Sequence, residues 1–389
     1  MLRTRDGEEP DKVSFIELFF DLVFVFAVTQ ISHSLMEDFS ARGMLRTLML
    51  LLAVWWVWIF TAWVTNWLDP EKLPVRIALL GLMGLGLLLS ASVPQAFGER
   101  GAVFAGAYVA MQMGRTTFFL WAVKGNPAMA RTFQRILFWF ALGGIFWIAG
   151  AFLADGARLA CWGAALLVEY AAPSLGFRTP GIGKSSSTDW DVSGHHLAER
   201  CGLFIIVALG ESVLVTGATF SGLKWTSPVI AAFLASVAGS MAMWWLYFDT
   251  ASGYGTRVIS AARNPGRLAR LAYTYLHLFL GAGIILNAVA DEFVLAHPSG
   301  HSSWQTVVAV PGGFALYLLG NLLFKRAISG RMPLSHLSAM AVLALLAPAG
   351  PALAPWLLML LGSLVLCAVA LWEKCTRCLQ DSPPGDSAP

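Results

Sequence analysis

Apolar residues run along this chain in stretches of roughly 20, the length needed to cross about 30 Å of hydrocarbon at helical rise. Short polar connections separate them. The stretches show neither the two-residue alternation of a half-wet strand nor one apolar stripe, so each predicts a helix that is apolar all round. The pattern places spans at residues 14–36, 44–66, 75–97, 101–123, 135–154 and 157–174, then at 197–217, 226–248, 268–290, 305–324, 333–349 and 353–372. Pro348, Pro351 and Pro355 crowd the boundary of the last two, and a fused or re-entrant segment there would leave eleven spans. Pro311-Gly-Gly313 is expected to break the tenth helix early, as a gate or a kink. The fold class is therefore an all-α, polytopic transmembrane bundle of about twelve helices.

Composition sharpens this picture. Of 389 residues 57% are hydrophobic and 13% charged, against about 25% charged in a soluble domain. Water cannot solvate such a surface, and the expected partner is the lipid bilayer. If Met1 lies inside, nineteen Lys and Arg fall at cytoplasmic ends and five in outer connections, with Arg115 and Arg200 inside helices. That asymmetry puts both termini in the cytoplasm. The first thirteen residues mix both charges and lack a small-residue exit, so the first span is expected to be retained rather than cleaved.

The Gly/Ser/Thr-rich connection after six spans divides the chain into a first six-helix repeat (1–175), a cytoplasmic linker (176–196), a second six-helix repeat (197–372) and a short cytoplasmic tail (373–389), with disorder expected from residue 381 on. Matching landmarks support a parallel duplication: Glu17 with Glu199, Trp67-Leu-Asp69 with Tyr247-Phe-Asp249, and Gly84-x-Gly86 with Gly281-x-Gly283. Five cysteines make no disulfide framework. Cys375-x-x-Cys378 is half a zinc site with no second ligand pair nearby, so inert thiols, no metal and no cofactor are expected.

Ionisable groups inside the spans carry the candidate chemistry. Glu17 and Asp21 stand four residues apart, on one helix face. Asp21 is seven residues past Ser14, about 10 Å into the span. An acid at such depth costs about 2.5–3.5 kcal/mol on insertion scales and faces a partner or a cavity. The seventh span opens His195-His-Leu-Ala-Glu-Arg200 and continues to Gly210-Glu211-Ser212. Glu199 and Arg200 are neighbours and cannot face each other, so each needs a partner on another helix; one arrangement pairs Arg200 with Asp21 and Glu199 with Arg115. Glu17, Asp21, Glu199, Arg200 and Glu211 are the ion or proton site candidates, with Arg115, Glu169 and His277 as a supporting buried polar cluster. His33, His195 and His196 lie near span ends and single out nothing. Of sixteen tryptophans, Trp55, Trp56, Trp58, Trp63 and Trp67 crowd the second span and Trp244 and Trp245 the eighth. Core packing, rather than an aromatic-lined pathway, is the expected role of Trp55 and Trp56.

Glu17-Leu-Phe-Phe-Asp-Leu-Val-Phe-Val25, His196-Leu-Ala-Glu-Arg-Cys-Gly-Leu-Phe204 and Ala208-Leu-Gly-Glu-Ser212 resemble the bacterial low temperature requirement A family over nearly the whole chain. Cys201 stands where an aromatic residue is common in that family. The resemblance implies a multi-pass protein of the bacterial cytoplasmic (inner) membrane, linked to growth in the cold. Taken with the buried acids, the expected function is a cation- or proton-linked transporter or channel, whose partners are cations, protons or a small solute. The alternative is a non-transporting membrane assembly or stress-adaptation protein. A membrane-embedded enzyme ranks below both, because no nucleophile or metal triad is recognisable and no catalytic residue is assigned. No nucleic-acid partner is expected, and a homo-oligomer is left open.

Overall fold

The structure, a computed structural model, describes residues 1–3, 12–186, 190, 192–262 and 264–381. Part of the linker, the side chain of Cys378 and the tail after 381 lie outside them. Twelve helices follow in chain order: α1 Phe15–Glu37, α2 Ala41–Trp67, α3 Leu73–Gln95, α4 Gly101–Ala122, α5 Pro127–Ala151, α6 Asp155–Ala171, α7 Gly194–Gly222, α8 Ser227–Ser260, α9 Pro265–Ala296, α10 Trp304–Ser329, α11 Leu334–Ala352 and α12 Pro355–Thr376. Ten are long and apolar enough to cross a membrane. The other two are α6, at 17 residues, and α4, diluted by Gln112, Arg115 and two threonines.

Helix ends follow local chemistry. Ser40 Oγ accepts from Gly43 N–H at the start of α2 (3.1 Å), and Asn126 caps α5 from Met129 N–H (3.1 Å) with Pro127 at the first helical position. Ser303 opens α10, and Gly330 closes it with φ +72°, a left-handed stop suited to glycine. The last two spans are separate, divided by a 3₁₀ turn over Gly350–Ala352 and a restart at Pro355. Two spans run longer than expected. α8 continues past residue 248 through a π-helical turn at Phe248–Ser252, and α9 starts at Pro265, passing through a π segment at Ala269–Leu276. These turns carry Asp, Thr, Ser, Arg and Tyr, so they are helical without registering as apolar.

The chain divides into two compact units. Unit 1 comprises Met1–Val207 and Ile259–Leu278. At its centre α2 packs against α1, α4 and α6, with Trp55, Trp56 and Trp58 fully buried. The core packing expected of these rings holds for Trp55 and Trp56. Around α2, successive helices α3 to α6 pack pairwise. The N-terminal residues pair with the end of α2, where Arg3 N–H donates to Trp67 O (2.8 Å) and Asp69 N–H to Met1 O (2.9 Å).

Unit 2 comprises Ala208–Val258 and Phe279–Pro389. Here α8 packs chiefly on α12, and α10 on α11 and α12. α9 and α10 approach to backbone contact. A Cβ on Gly283 would meet Tyr317 N at 2.5 Å, and one on Gly313 would meet Asn287 N at 3.0 Å. Small residues permit this in a bilayer, where helices associate by close packing. The seam corrects one expectation. α10 runs unbroken through Pro311, because neighbouring helices hold the turn from which proline removes a hydrogen bond.

The distribution of side chains is inverted relative to a soluble protein. Phe15 is 90% exposed and Leu345 74%, while Glu17 and Arg200 are 0% exposed. Apolar residues face out and ionised ones in, as lipid solvation requires.

Candidate functional site

Unit 1 gathers four of the sequence candidates or their neighbours. Glu17 sits in the first turn of α1, where its Oε2 accepts from Ser14 N–H and Oγ (both 2.9 Å) and from Arg3 Nη2 (3.1 Å). Its Oε1 accepts from His196 Nε2 (3.0 Å), with Arg200 Nη1 at 3.4 Å. One turn on, Asp21 Oδ1 accepts from Arg200 Nη2 and from the Trp58 indole, each at 2.8 Å. Two carboxylates thus meet two guanidiniums, and the charges cancel inside the fold. Bonds of this charge-assisted kind are the strong ones, and a pair of buried acids needs them.

The tautomer of His196 follows from its surroundings. Ser193 N–H donates to Asn66 Oδ1 (2.9 Å), which fixes the amide, and Asn66 Nδ2 then donates to Ser193 O (2.8 Å) and His196 Nδ1 (3.2 Å). With Nδ1 accepting, the proton is on Nε2, where it is donated to Glu17. Arg3 Nη2 is 3.1 Å from that nitrogen but is satisfied by Glu17 Oε2, while its Nε donates to Thr65 O and Leu68 O.

The Arg200–Asp21 pairing read from the sequence is present. The Glu199–Arg115 pairing is not. Glu199 Oε2 accepts from Val13 N–H (3.1 Å), because residue 199 points toward the chain entering α1, on a different face from Arg200. Arg115 instead donates to Val57 O (3.1 Å), Thr61 Oγ1 (3.2 Å) and Gln112 Oε1, and lies between the Phe60 and Phe140 rings. Glu169 accepts from Tyr108 OH and the Trp147 indole (3.0 Å), and Gln112 Nε2 donates to Tyr108 OH (3.1 Å). Arg115 and Glu169 are thereby joined through Gln112 and Tyr108. His277, grouped with them on sequence, is held differently: its Nδ1 donates to Ala272 O (2.8 Å) and its ring stacks on Tyr273.

In unit 2, Glu211 is buried on α7 beside Ser212. Ser212 leads to an acid that the sequence reading missed. Asp291 on α9 is 0% exposed. Its Oδ2 accepts from Ser212 Oγ (3.0 Å), Thr216 Oγ1 (3.1 Å) and Asn287 Nδ2 (3.3 Å). Ser212 spends its single proton on Asp291, so the Ser240 hydroxyl, 3.0 Å away, donates to Ser212. Ser236 lies alongside the carboxylate without reaching full hydrogen-bond geometry. Among the described residues, no Lys, Arg or His pairs with Asp291.

Asp291 escaped because the ninth span was ended at residue 290. The signal was present in the spacing. Three helices each offer a polar pair one turn apart: Ser212/Thr216 on α7, Ser236/Ser240 on α8 and Asn287/Asp291 on α9. A further cluster, also missed, joins Lys325 Nζ to Glu373 Oε2 (2.5 Å) and Thr250 Oγ1 (2.9 Å), with His336 Nε2 3.0 Å from Asn321 Oδ1. No group of three or more His, Cys, Asp or Glu that could hold a metal ion occurs among the described residues.

The profile of the family described as "Bacterial low temperature requirement A protein (LtrA)" matches residues 12–371. The chain belongs to this LtrA family. The matched range holds all of α1 to α11 and most of α12, so Glu17, Asp21, His196, Arg200 and the Asp291 shell lie within the family's own extent, while Arg3 precedes it. A protein of Rhizobium meliloti (strain 1021) described as uncharacterized is 39% identical over 372 residues, covering 95% of this chain and 90% of the relative. No solved structure matches the chain. As a member of the LtrA family with ten helices suited to crossing a bilayer, this is a multi-pass membrane protein.

Proposed function

We propose that this LtrA-family protein is a cation- or proton-linked transporter or channel, and that its ion site is centred on Asp291. The observation that carries the reading is the company Asp291 keeps: a fully buried carboxylate inside a spanning helix, bonded to hydroxyls and an amide, with no cationic partner among the described residues. An intramembrane acid without a resident counter-ion is an ion or proton site by default. The Glu17–Asp21–Arg200–Arg3 network, neutral in itself, supports a positioning role for the residues first chosen as site candidates. Both termini are proposed to be cytoplasmic in the bacterial inner membrane, supported by the nineteen-to-five bias of Lys and Arg. The two halves are proposed to be repeats, supported by the landmarks they share.

Reconstitution in liposomes tests the function. Protein-dependent movement of protons or monovalent cations is expected, falling to the protein-free background in Asp291→Asn. An inert wild type, or full flux in the variant, would sink the proposal. The closed charge balance of unit 1 also favours a second reading, a non-transporting assembly or stress protein. In that case no flux appears at all, and substitutions affect only the yield of folded protein.

A further inference from the structure

We infer that the Asp291 shell binds a small monovalent cation, sodium-sized and stripped of most of its water, rather than serving only as a proton carrier. This deepens the transport reading and rests on it for the ion's role, though not for its binding.

The hydrogen bonds single out one oxygen of the carboxylate. One oxygen, Asp291 Oδ2, receives three donors: Ser212 Oγ, Thr216 Oγ1 and Asn287 Nδ2. A protonated carboxyl would turn one of its oxygens into a donor, whereas an ionised one accepts at both. Three donors converge on Oδ2 and, among the described residues, none reaches Oδ1 in hydrogen-bonding geometry, so Oδ1 is the oxygen left to a proton or a cation. An ion buried alone is costly, and neutral donors reduce that cost without cancelling the charge. The Glu17 network cancels its charge with arginines, and no cation among the described residues does so for Asp291.

The vacant valences indicate where the counter-ion sits. Oδ1 of Asp291 and Oδ1 of Asn287 are both buried oxygens that meet no protein donor in hydrogen-bonding geometry, and Ser236 Oγ stands alongside in the same condition. Buried acceptors left in this state are uncommon and call for a partner. A cation satisfies several oxygens at once, which one proton cannot do. The available ligands are a carboxylate, an amide carbonyl and hydroxyls, the hard oxygen set that suits alkali and alkaline-earth ions rather than soft metals.

Charge and spacing narrow the choice. With one carboxylate in the shell, a monovalent ion leaves it neutral and a divalent ion leaves a net positive charge in a low-dielectric interior. Neighbouring oxygens lie about 3 Å apart: Ser212 to Asp291 at 3.0 Å, Thr216 to Asp291 at 3.1 Å and Ser212 to Ser240 at 3.0 Å. These are hydrogen-bond lengths, and an ion that takes two such oxygens as ligands must part them, a sodium-sized ion less than a potassium-sized one. The seam beside the site resists spreading, because Gly313 lies against the Asn287 backbone and leaves no slack.

The test uses the full chain purified in detergent. Its thermal midpoint is measured against rising NaCl, with KCl or choline chloride replacing it at constant ionic strength. A ligand that binds only the folded state raises stability logarithmically above its Kd. The expected result is a saturating rise in Na⁺, at least tenfold weaker in K⁺ and absent in choline. Asp291→Asn is expected to abolish the Na⁺ response, and Thr216→Val, which removes one oxygen at constant volume, to weaken it about tenfold. Midpoints that are equal in the three salts would overturn the inference, as would an Na⁺ response unchanged in Thr216→Val, the variant that decides the matter if Asp291→Asn does not fold. Vesicle flux separates the two claims. Proton flux lost in Asp291→Asn but indifferent to Na⁺, together with flat midpoints, leaves transport standing and sinks the cation site. Saturable Na⁺ binding without flux does the reverse.

Discussion

Glu17 and Asp21 in unit 1 and Asp291 in unit 2 are acids buried to the same degree, yet their surroundings differ in kind. The first two face arginines at 2.8–3.4 Å and a histidine at 3.0 Å. Asp291 faces hydroxyls and an amide. In a bilayer every buried charge must be answered, and the answer comes from the protein or from outside it. Where the protein supplies it, the acid is committed to holding helices together: α1 to α7 through Arg200, and the N-terminal residues to α1 and the end of α2 through Arg3. Where the protein withholds it, the acid is available to an exchangeable ion. Depth and type of residue did not distinguish these cases, and counter-charge does.

The largest expected effect comes from removing the counter-charge in unit 1. Arg200→Met leaves Glu17 and Asp21 facing each other without the guanidinium that both share. Breaking a buried pair in this way costs about 3–5 kcal/mol, so the variant is expected to aggregate on extraction, as judged by monodispersity in size-exclusion chromatography. Asp291→Asn is expected to remain monodisperse, since its amide stays within a neutral shell. Equal behaviour of the two variants would break the comparison.

The next effect concerns the geometry of the α9–α10 seam. Gly313→Ala puts a methyl group 3.0 Å from Asn287 N, an overpacking that costs about 1–3 kcal/mol and shifts the helix carrying Asn287 and Asp291. Loss of stability together with a weakened Na⁺ response is expected. A change in stability alone would show that the seam does not set the shape of the shell. Of similar or smaller size, Trp58→Phe removes the indole donor to Asp21 while keeping an aromatic ring. The expected loss is about 1–2 kcal/mol, read as a lower thermal midpoint, because Arg200 still holds the same oxygen.

Much of this was legible in the sequence. The twelve helices, the inward turn of the ionised groups and the Arg200–Asp21 pair follow from run length, hydrocarbon thickness and acid spacing. What escaped did so for identifiable reasons. Hydropathy ends a helix where polarity begins, so a span drawn to residue 290 excluded Asp291, whose own polarity interrupts the apolar run. The same bias hid the π-helical turns at Phe248–Ser252 and Ala269–Leu276. His196 was set aside as interfacial. Its place against Glu17 depends on Asn66 and Ser193, contacts more than 120 residues apart in the chain that no local pattern reveals. Partner choice for Glu199 failed because adjacent residues on a helix point about 100° apart, which excludes one face without selecting another.

Glu199 is therefore the acid that sharpens the comparison most finely, since it belongs to neither class. It is half-buried at the start of α7 and accepts a backbone N–H from Val13. Glu199→Gln keeps a carbonyl oxygen able to accept that bond and deletes only the charge. A bond to a backbone amide is worth about 0.5–1.5 kcal/mol and most of it is retained, so the thermal midpoint, the Na⁺ response and the flux are all expected to stay near wild type. A large loss of flux with the fold intact would place an ion-handling acid in unit 1 after all, and the distinction between answered and unanswered charge would no longer separate the two units. A large loss of stability without loss of flux would instead mean that the carboxylate has a counter-charge yet to be identified, and Glu199 would join Glu17 and Asp21 as structural.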